Sequence, residues 1–239
     1  MTRRRWIADE VSGDRAALVG DHAYHLMRVL RARVGDHFDI ATGIAVRSGR
    51  ILSVADGRVE FELGEEVPGA GLSEITLVLS VFKFDRMEWA IEKCTELGVS
   101  RIVPVIARRT DSHLADASLK RVERWQRIAR QASEQSRRTA PPEIAAPIKI
   151  AEALNVPGTL RILLSEVEER ILLRDIVKAD APQDGVVLAI GPEGGWTEGE
   201  LHSFQQAGWT AASLGNTILR AETAAIAATA VLASVLSSF

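Results

Sequence analysis

The sequence predicts an α/β protein that begins with a small β-rich part. Short alternating segments fill residues 1–70, and from residue 73 onward apolar strands alternate with helical patterns. Such alternation is typical of a parallel sheet that is covered by helices on both faces. The chain has 239 residues, of which 46% are hydrophobic, so it is long enough for a substantial core. We therefore expect two domains, at 1–70 and 73–239.

The first part predicts the hairpins of a small β-domain, because turn pairs separate its alternating segments. Strands are predicted at 37–41, 44–53 and 58–63, with turns at Thr42-Gly43, Ser48-Gly49 and Asp56-Gly57. The pattern changes at the Pro-Gly-Ala-Gly stretch of residues 68–71, which we interpret as the border.

The second part alternates strands with helices. Asp85 and Glu88 predict a capped helix start, and Gly98 predicts the end of that helix. The strands are predicted at 75–82, 101–107, 160–165, 186–190 and 211–214. The other helices are predicted at 117–136, 171–178, 198–207 and 221–236. The last helix is rich in alanine, the best helix former, and contains neither Gly nor Pro.

Charge is distributed unevenly along the chain. The net charge is −3, which by itself argues against a nucleic-acid partner, but residues 120–138 hold seven basic and two acidic side chains. Lys120, Arg124 and Arg127 recur at helical spacing, with Trp125 and Ile128 on another face. Two interpretations stay open for this amphipathic helix: a solvated face, or a face that contacts phosphates.

Cysteine and histidine usage limits the possible chemistry. The single cysteine, Cys94, permits no internal disulfide and lies at a core-like helical position. The five histidines show no spacing typical of metal ligands, so we expect no metal. No signal-peptide pattern follows the N-terminal arginines, and the last helix is shorter than the roughly 20 residues that span a bilayer. We expect a cytoplasmic protein.

A glycine-rich turn follows the strand predicted at 186–190. Gly191-Pro192-Glu193-Gly194-Gly195-Trp196 leads into a helix that Thr197 and Glu200 begin as a capping box. Open α/β sheets hold their ligands at such turns, at the carboxyl ends of parallel strands. The turn lacks both the dinucleotide spacing and the P-loop lysine, so neither mechanism is supported.

A second loop carries charged residues into the last helix. Arg220, Glu222 and Thr223 stand at its start, after a loop that contains Gly215. Glu222 is favourable against the positive end of the helix dipole, and the free N–H groups of the first turn can bind a polar or anionic ligand. An ordinary N-terminal acid beside an exposed arginine would show the same pattern.

Together these loops resemble the signature pair of the ribosomal RNA uridine-N3 methyltransferases, a family of the SPOUT superfamily. The pair is L-A-I-G-P-E-G-G-W at 188–196 and L-G-N-T-I-L-R-A-E-T at 214–223. Three further blocks agree, and they lie at 25–36, 87–99 and 134–144. The blocks span nearly the whole chain in the order of the family.

The resemblance implies a fold and an activity. Residues 1–70 would form a PUA-like β-barrel that binds RNA, and residues 73–239 a SPOUT methyltransferase domain with a C-terminal trefoil knot. A homodimer would bind S-adenosylmethionine (SAM) in the knot and methylate N3 of a uridine in 16S ribosomal RNA, within the small ribosomal subunit. Two alternatives remain: a SPOUT enzyme for another RNA or a ribose 2′-hydroxyl, and a non-catalytic RNA-binding relative.

The resemblance also implies roles for individual residues. Arg220 would stabilise negative charge on a uracil carbonyl oxygen. Glu222 or Glu193 would accept the N3 proton, with a slight preference for Glu222, although Glu222 would equally serve as a brace that orders Arg220. Cofactor contacts are implied at Leu164, Ser165, Glu166, Ile190, Gly191, Pro192, Glu193, Gly194, Gly195, Leu214, Gly215, Ile218, Leu219 and Thr223. RNA contacts are implied at Arg3, Arg4, Arg5, His25, Arg28, Arg31, Arg33, Lys83, Arg137 and Arg138, where His25 suits barrel packing equally well.

The sequence departs from the family pattern at two places. Asn216-Thr217 stands where a Pro-Arg or similar pair is expected, which removes one possible cation near the site. The segment Val81-Phe82-Lys83-Phe84-Asp85 lacks the usual glycine after its lysine. These departures concern the loop shape and the substrate contacts and leave the reaction class unchanged.

Overall fold

The computed structural model describes residues 5–55, 57–67, 75–179 and 185–236. The chain divides into two compact units. The first comprises Met1–Leu72 together with Ser133–Ala140, and the second comprises Ser73–Ala132 and Pro141–Phe239. The first unit thus includes a segment, Ser133–Ala140, that lies outside the predicted residues 1–70.

The first unit is built on a curled sheet that has six strands among the described residues, in the order β1-β4-β5-β6-β3-β2. Its strands are β1 (Arg5–Ile7), β2 (Glu10–Ser12), β3 (Arg15–Val19), β4 (His37–Ala41), β5 (Val46–Ala55) and β6 (Arg58–Val67). A short helix α1 (Asp21–Tyr24) continues into a π-helical turn at His25–Val29. Strand β1 pairs parallel with β4, and the other neighbours pair antiparallel. Fully buried Leu18, Leu26, Ile40 and Phe61 form its core.

One predicted turn of this unit is confirmed and another is wrong. Thr42 donates its backbone N–H to Ala45 O at 2.9 Å, and Gly43 has a φ of 94°, so a turn lies here as predicted. The break predicted at Ser48-Gly49 is wrong, because both residues lie inside β5. A Cβ on Gly49 would overlap the side chain of Ile40, so this glycine makes room for a core residue. Asp56 of the third predicted turn lies outside the described residues.

The second unit contains a parallel sheet, which confirms the α/β prediction. Among the described residues it has seven strands, in the order β10-β8-β7-β12-β11-β13, and β9 also pairs with β8. The strands are β7 (Ile75–Ser80), β8 (Arg101–Ile106), β9 (Glu143–Ile144), β10 (Ile148–Lys149), β11 (Leu160–Leu164), β12 (Val186–Ile190) and β13 (Thr210–Ala212). Every described pair in this sheet is parallel.

Helices follow the strands of this sheet. They are α2 (Phe84–Glu96), α3 (Ser112–Ser118), a 3₁₀ turn at Leu119–Arg121, α4 (Val122–Gln135), α5 (Ile150–Ala153), α6 (Leu173–Ala179), α7 (Glu198–Gln206) and α8 (Ala221–Leu236). The two faces of the sheet carry separate cores: Leu77 packs with α2 and α8 on one face, and Val78 packs with Phe204 and Trp209 on the other. Of the described helices, none has the length and apolar character needed to cross a membrane.

Two helix starts were predicted with different success. The capping box at Thr197 and Glu200 is confirmed, because each side chain accepts a hydrogen bond from the backbone N–H of the other. The cap predicted at Asp85 is wrong: α2 begins at Phe84, with Lys83 at the N-cap position. Met87 N–H already donates to Lys83 O at 2.9 Å, so Asp85 lies inside the first turn, where its charge faces the positive helix end.

The helix predicted at 117–136 is divided in the structure. Helix α3 begins earlier, at Ser112, and Asp111 caps it by accepting a hydrogen bond from His113 N–H at 2.9 Å. The 3₁₀ turn then separates α3 from α4. No Gly or Pro marks this break, so the periodic pattern alone did not show it. Trp125 and Ala129 are buried on α4, which confirms its apolar face.

Candidate active site

Three loops meet at the carboxyl ends of neighbouring parallel strands. Strand β11 lies between β12 and β13, so the loops that leave these three strands emerge side by side. They line an open cavity of about 210 Å³. The cavity therefore lies where an α/β sheet ordinarily holds its ligand.

Twelve of the fourteen residues predicted to contact the cofactor line this cavity. They are Leu164, Ser165, Glu166, Ile190, Gly191, Pro192, Glu193, Gly194, Leu214, Gly215, Ile218 and Leu219. Gly195 and Thr223 do not line it, and Thr223 lies exposed on α8. The structure adds five lining residues that the sequence analysis did not name for this role: Trp196, Ser213, Thr217, Ala221 and Ala224. All five adjoin the two predicted loops, so proximity in sequence was the signal for them.

The loop after β12 is closely packed against the loop after β11. Trp196 is buried and donates a hydrogen bond from its indole Nε1 to Leu164 O at 3.0 Å. A Cβ on Gly191 would lie 3.2 Å from the Trp196 ring, and a Cβ on Gly195 would overlap the Glu166 carboxylate. Gly195 also has a φ of 70°, in the region that favours glycine. Gly191 therefore makes room for the Trp196 ring within its own loop, and Gly195 makes room for Glu166 of the loop after β11.

Arg109 holds the same loop from outside the predicted motifs. Its Nη1 donates to Gly194 O at 2.7 Å and to Trp196 O at 3.3 Å. Arg109 follows β8 and was not among the predicted site residues. Its loop partners lie 85 and 87 residues away in the chain, so no local pattern indicated these contacts. The one available signal was its position just after a buried strand.

The third loop, residues 213–219, is joined through Ser213 to residues 171–173 at the start of α6. The Ser213 N–H donates to Ile171 O at 2.9 Å, and its carbonyl accepts from Leu173 N–H at 2.9 Å. Beyond it, Gly215 has a φ of 127° and Ile218 is 87% exposed at the cavity. Thr217, part of the departure from the family pattern, lines the cavity as well.

Two of the predicted catalytic residues, Glu193 and Glu222, share an arginine. Arg86 Nη1 donates to Glu193 Oε1 at 2.8 Å, and Arg86 Nε lies 3.8 Å from Glu222 Oε1. Glu222 is only 3% exposed, and its Oε2 has no hydrogen-bond partner among the described residues. Glu193 lines the cavity, whereas Glu222 does not. The sequence analysis missed Arg86, which lies in the first turn of α2.

Arg220, the third predicted catalytic residue, stands directly before α8. Its carbonyl accepts the hydrogen bond from Ala224 N–H at 2.8 Å, and its side chain is exposed. Within the part of the chain that the structure describes, its guanidinium forms no ion pair or hydrogen bond. The site therefore has one arginine held by carboxylates and one that faces solvent.

Most of the predicted RNA-binding residues lie in the first unit. His25, Arg28, Arg31 and Arg33 are exposed, on the π-helical turn and the segment after it. The His25 ring centroid is 5.6 Å from that of Trp6, so His25 packs against Trp6 while its side chain stays exposed to solvent. Arg31 adopts a φ of 52°, which is uncommon for a residue other than glycine.

The remaining predicted RNA-binding residues differ in exposure. Arg137 is exposed with a φ of 61°, and its carbonyl accepts a hydrogen bond from Arg5 Nη1. Arg138, in contrast, is 5% exposed, and burial lowers its pKa to about 10. It does not present its charge on the surface of the unit. Lys83, in the second unit, is exposed, while Arg3 and Arg4 lie outside the described residues.

In the stretches of the chain that the structure describes, no group of three or more His, Cys, Asp or Glu side chains is placed to hold a metal ion.

Comparisons with known proteins agree with this geometry. A family model described as "RNA methyltransferase domain" matches residues 70–233. The chain is 35% identical to the ribosomal RNA small subunit methyltransferase E of Synechocystis, over 90% of this chain and 71% of the relative. It is 32% identical to the protein of the same name from Rickettsia conorii, over 89% of this chain and 87% of the relative.

Solved structures show the same fold. The ribosomal RNA small subunit methyltransferase E from Neisseria gonorrhoeae, bound to SAM, superposes with a TM-score of 0.84 and 32% identity, over 98% of each chain. A putative methyltransferase from Legionella pneumophila, in complex with bound SAM, gives a TM-score of 0.84 at 26% identity, again over 98% of each chain.

Proposed function

The chain belongs to the ribosomal RNA small subunit methyltransferase E family, and on this basis we propose that it methylates N3 of a specific uridine in 16S ribosomal RNA with SAM as its cofactor. The single observation that carries the proposal is the cavity at the ends of β11, β12 and β13. It joins both motif loops of the family in one place, beside an exposed arginine.

The lining of the cavity suits SAM. Ile190, Leu214 and Leu219 offer apolar surface for an adenine ring. Gly195 lets the loop after β12 lie close against Glu166 of the loop after β11, and the cavity beside them is the space that a ligand would occupy. When bound, SAM supplies an activated methyl group on a cationic sulfonium. Glu166 and Glu193 line the cavity with carboxylates that complement such a positive charge.

Uracil N3 carries a proton that must leave before the nitrogen can accept a methyl group. We propose that Arg220 stabilises the resulting anion by donating to a uracil carbonyl oxygen, because its exposed guanidinium carries a permanent charge. Glu193 is our candidate for the proton acceptor, since it lines the cavity. Glu222, buried and outside the lining, suits the role of a brace better, but its ion-pair partner is Arg86 and not Arg220.

We propose that a basic surface of the first unit binds RNA. This surface is formed by His25, Arg28, Arg31, Arg33 and Arg137. All five are exposed. Arg31 and Arg137 are the two residues other than glycine that have a positive φ among the described residues, and such backbone strain is concentrated at functional sites. Contacts of this kind position a nucleic acid through its phosphates. We leave Arg138 out of this surface because it is buried.

Family membership supports further architectural proposals. We propose that residues 1–70 form a PUA-like barrel, that residues 73–239 form a SPOUT domain, and that residues 213–223 close a trefoil knot around the cofactor. We also propose a cytoplasmic homodimer that acts on the small ribosomal subunit. The alanine-rich α8 is compatible with close packing against a second copy, because small side chains permit a close approach of helices.

Nucleoside mass spectrometry of 16S ribosomal RNA tests the proposed reaction. RNA from a strain that lacks the gene should have lost 3-methyluridine, and the wild-type gene should restore it. Persistence of 3-methyluridine would contradict the proposal. Loss of a 2′-O-methylated nucleoside, or of a methylated base in another RNA, would identify a different SPOUT reaction, and no change in any RNA would favour a non-catalytic relative.

A further inference from the structure

Three charged side chains lie next to one another at the candidate active site: a buried carboxylate, an arginine and a carboxylate that lines the cavity. Glu222 on α8 lies 3.8 Å from Arg86 on α2, and Arg86 in turn donates to Glu193 at 2.8 Å. The three side chains come from three parts of the chain: the first turn of α2, the loop after β12 and the first turn of α8. We call them the Glu222-Arg86-Glu193 chain.

The inner end of this chain, Glu222, is buried. The Glu222 side chain is 5% exposed, and a carboxylate removed from water is costly unless a positive charge compensates it. Arg86 is the cation that lies within 4 Å of it among the described residues. The attraction between the two opposite charges therefore favours the position of Arg86 beside Glu222.

The outer end of this chain, Glu193, lies at the cavity. Glu193 lines the cavity with 36% of its side chain exposed, whereas Arg86 and Glu222 do not line it. An exposed carboxylate on a glycine-rich loop has many rotamers available in the absence of a fixed partner. The hydrogen bond from Arg86 favours one position of the Glu193 carboxylate at the cavity wall.

We infer that Arg86 is a positioning residue: buried Glu222 orients it, and it holds the Glu193 carboxylate at the cavity wall, where the negative charge of Glu193 would favour binding of the cationic cofactor SAM. This inference rests on the proposed cofactor and assigns Glu222 as the brace of Arg86. The chain follows the general arrangement in which the partner of a site residue is itself fixed by a third group.

Calorimetric titration of SAM into the purified protein tests the inference without any RNA substrate. R86Q and E193Q should each weaken SAM binding about tenfold. R86K should retain part of the affinity, because lysine keeps the positive charge but lacks the planar set of N–H donors of the guanidinium. The matched control is R101Q, because Arg101 is similarly exposed and is ion-paired with Glu143 outside the cavity. Its SAM affinity should equal that of the wild type.

The double variant R86Q/E193Q distinguishes positioning from independent contacts. If Arg86 acts through Glu193, the double variant binds SAM no more weakly than either single variant. Multiplication of the two effects, or an R86Q affinity equal to that of R101Q, would overturn the inference. R86Q leaves Glu222 buried without its cation, so R86Q/E222Q is measured as well: it should regain thermal stability and still bind SAM weakly. Full recovery of SAM affinity in R86Q/E222Q would also overturn it.

The same titration separates this inference from the proposed reaction. A wild-type protein that binds SAM but forms no 3-methyluridine would refute the uridine-N3 assignment. The variants would then still test the roles of Arg86, Glu193 and Glu222 in SAM binding. A wild-type protein that does not bind SAM would overturn both the cofactor proposal and the inference.

Discussion

Glu166 places its carboxylate against Gly195, in the space that a Cβ on that glycine would occupy. Gly195 also has a φ of 70°, so a larger residue would be strained as well as crowded. We predict that Gly195→Ala destabilises the protein by about 1–3 kcal/mol and weakens SAM binding, because Glu166 must leave its position at the cavity wall. Calorimetry and thermal unfolding would measure the two effects.

Gly199 provides a matched control for this substitution. It lies in α7, a Cβ there would meet nothing within 4 Å, and its φ is not positive. Gly199→Ala should therefore leave SAM binding unchanged and stabilise the protein by about 0.5–1 kcal/mol. Equal SAM affinities for the two variants would show that the contact between Gly195 and Glu166 has no part in shaping the cavity.

Arg220 is the residue whose loss should affect catalysis most specifically. Arg220→Ala should lower kcat about 100- to 1,000-fold, the usual cost of removing one donor to a developing oxyanion. Because its side chain is exposed and unpaired among the described residues, the melting temperature and the SAM affinity should not change. Arg174→Ala, at another exposed arginine, is the control. A variant at Arg220 with wild-type kcat would remove this residue from the mechanism.

The sequence predicted the parts of the site that local patterns encode. The bounds of α8 and β12 were predicted correctly, because an alanine-rich run without Gly or Pro and a glycine-bounded apolar run are strong signals. The loops at the ends of these elements were found for the same reason. The strands β9 and β10 were missed, since two residues each are too few to show a period.

Residues that depend on distant partners were not predictable in this way. Arg86 meets Glu193 across 107 residues of sequence, and no local pattern records such a contact. Arg138 shows the opposite case: arginine is normally exposed, so its burial could not be inferred from residue type or charge pattern. Tertiary packing decides both, and it places one arginine in the site and removes another from the surface.

RNA binding should depend on salt through the arginines of the first unit. Arg28 and Arg31 are exposed, and each phosphate contact on a single strand contributes about 0.7 to the slope of log affinity against log salt concentration. We predict that R28Q/R31Q lowers the magnitude of that slope by about 1.4 on a fragment of 16S ribosomal RNA. Fluorescence anisotropy over a salt series would measure it.

Arg50 provides the control for this prediction. It lies in the same unit but is engaged by Glu62, with Nη2 donating to Oε2 at 2.8 Å. R50Q should leave the slope unchanged. If R50Q and R28Q/R31Q reduce the slope equally, binding reflects the overall charge of the unit, and the proposed surface is not a specific one.

Cys94 should make the stability of the protein decrease at alkaline pH. Its thiol is fully buried, accepts a hydrogen bond from Thr229 Oγ1 at 3.5 Å, and has its pKa raised to about 12 by burial. An unfolded chain loses this proton at about pH 8.5–9, so the native state binds more protons between about pH 9 and 12. The contribution of the neutral thiol is therefore complete below about pH 9 and is lost as the pH rises toward 12.

Urea unfolding at about pH 8 and pH 10 would detect this effect. From the two pKa values, the wild type should lose about 1–2 kcal/mol more than Cys94→Ala between these conditions. The wild type and Cys94→Ala contain the same lysines and the same single tyrosine. The difference between their losses of unfolding free energy therefore cancels the titration of those groups. The same burial makes the native thiol unreactive toward disulfide reagents at about pH 8, while the unfolded chain reacts at once. Equal losses of stability in both proteins would show that Cys94 does not titrate differently in the native state.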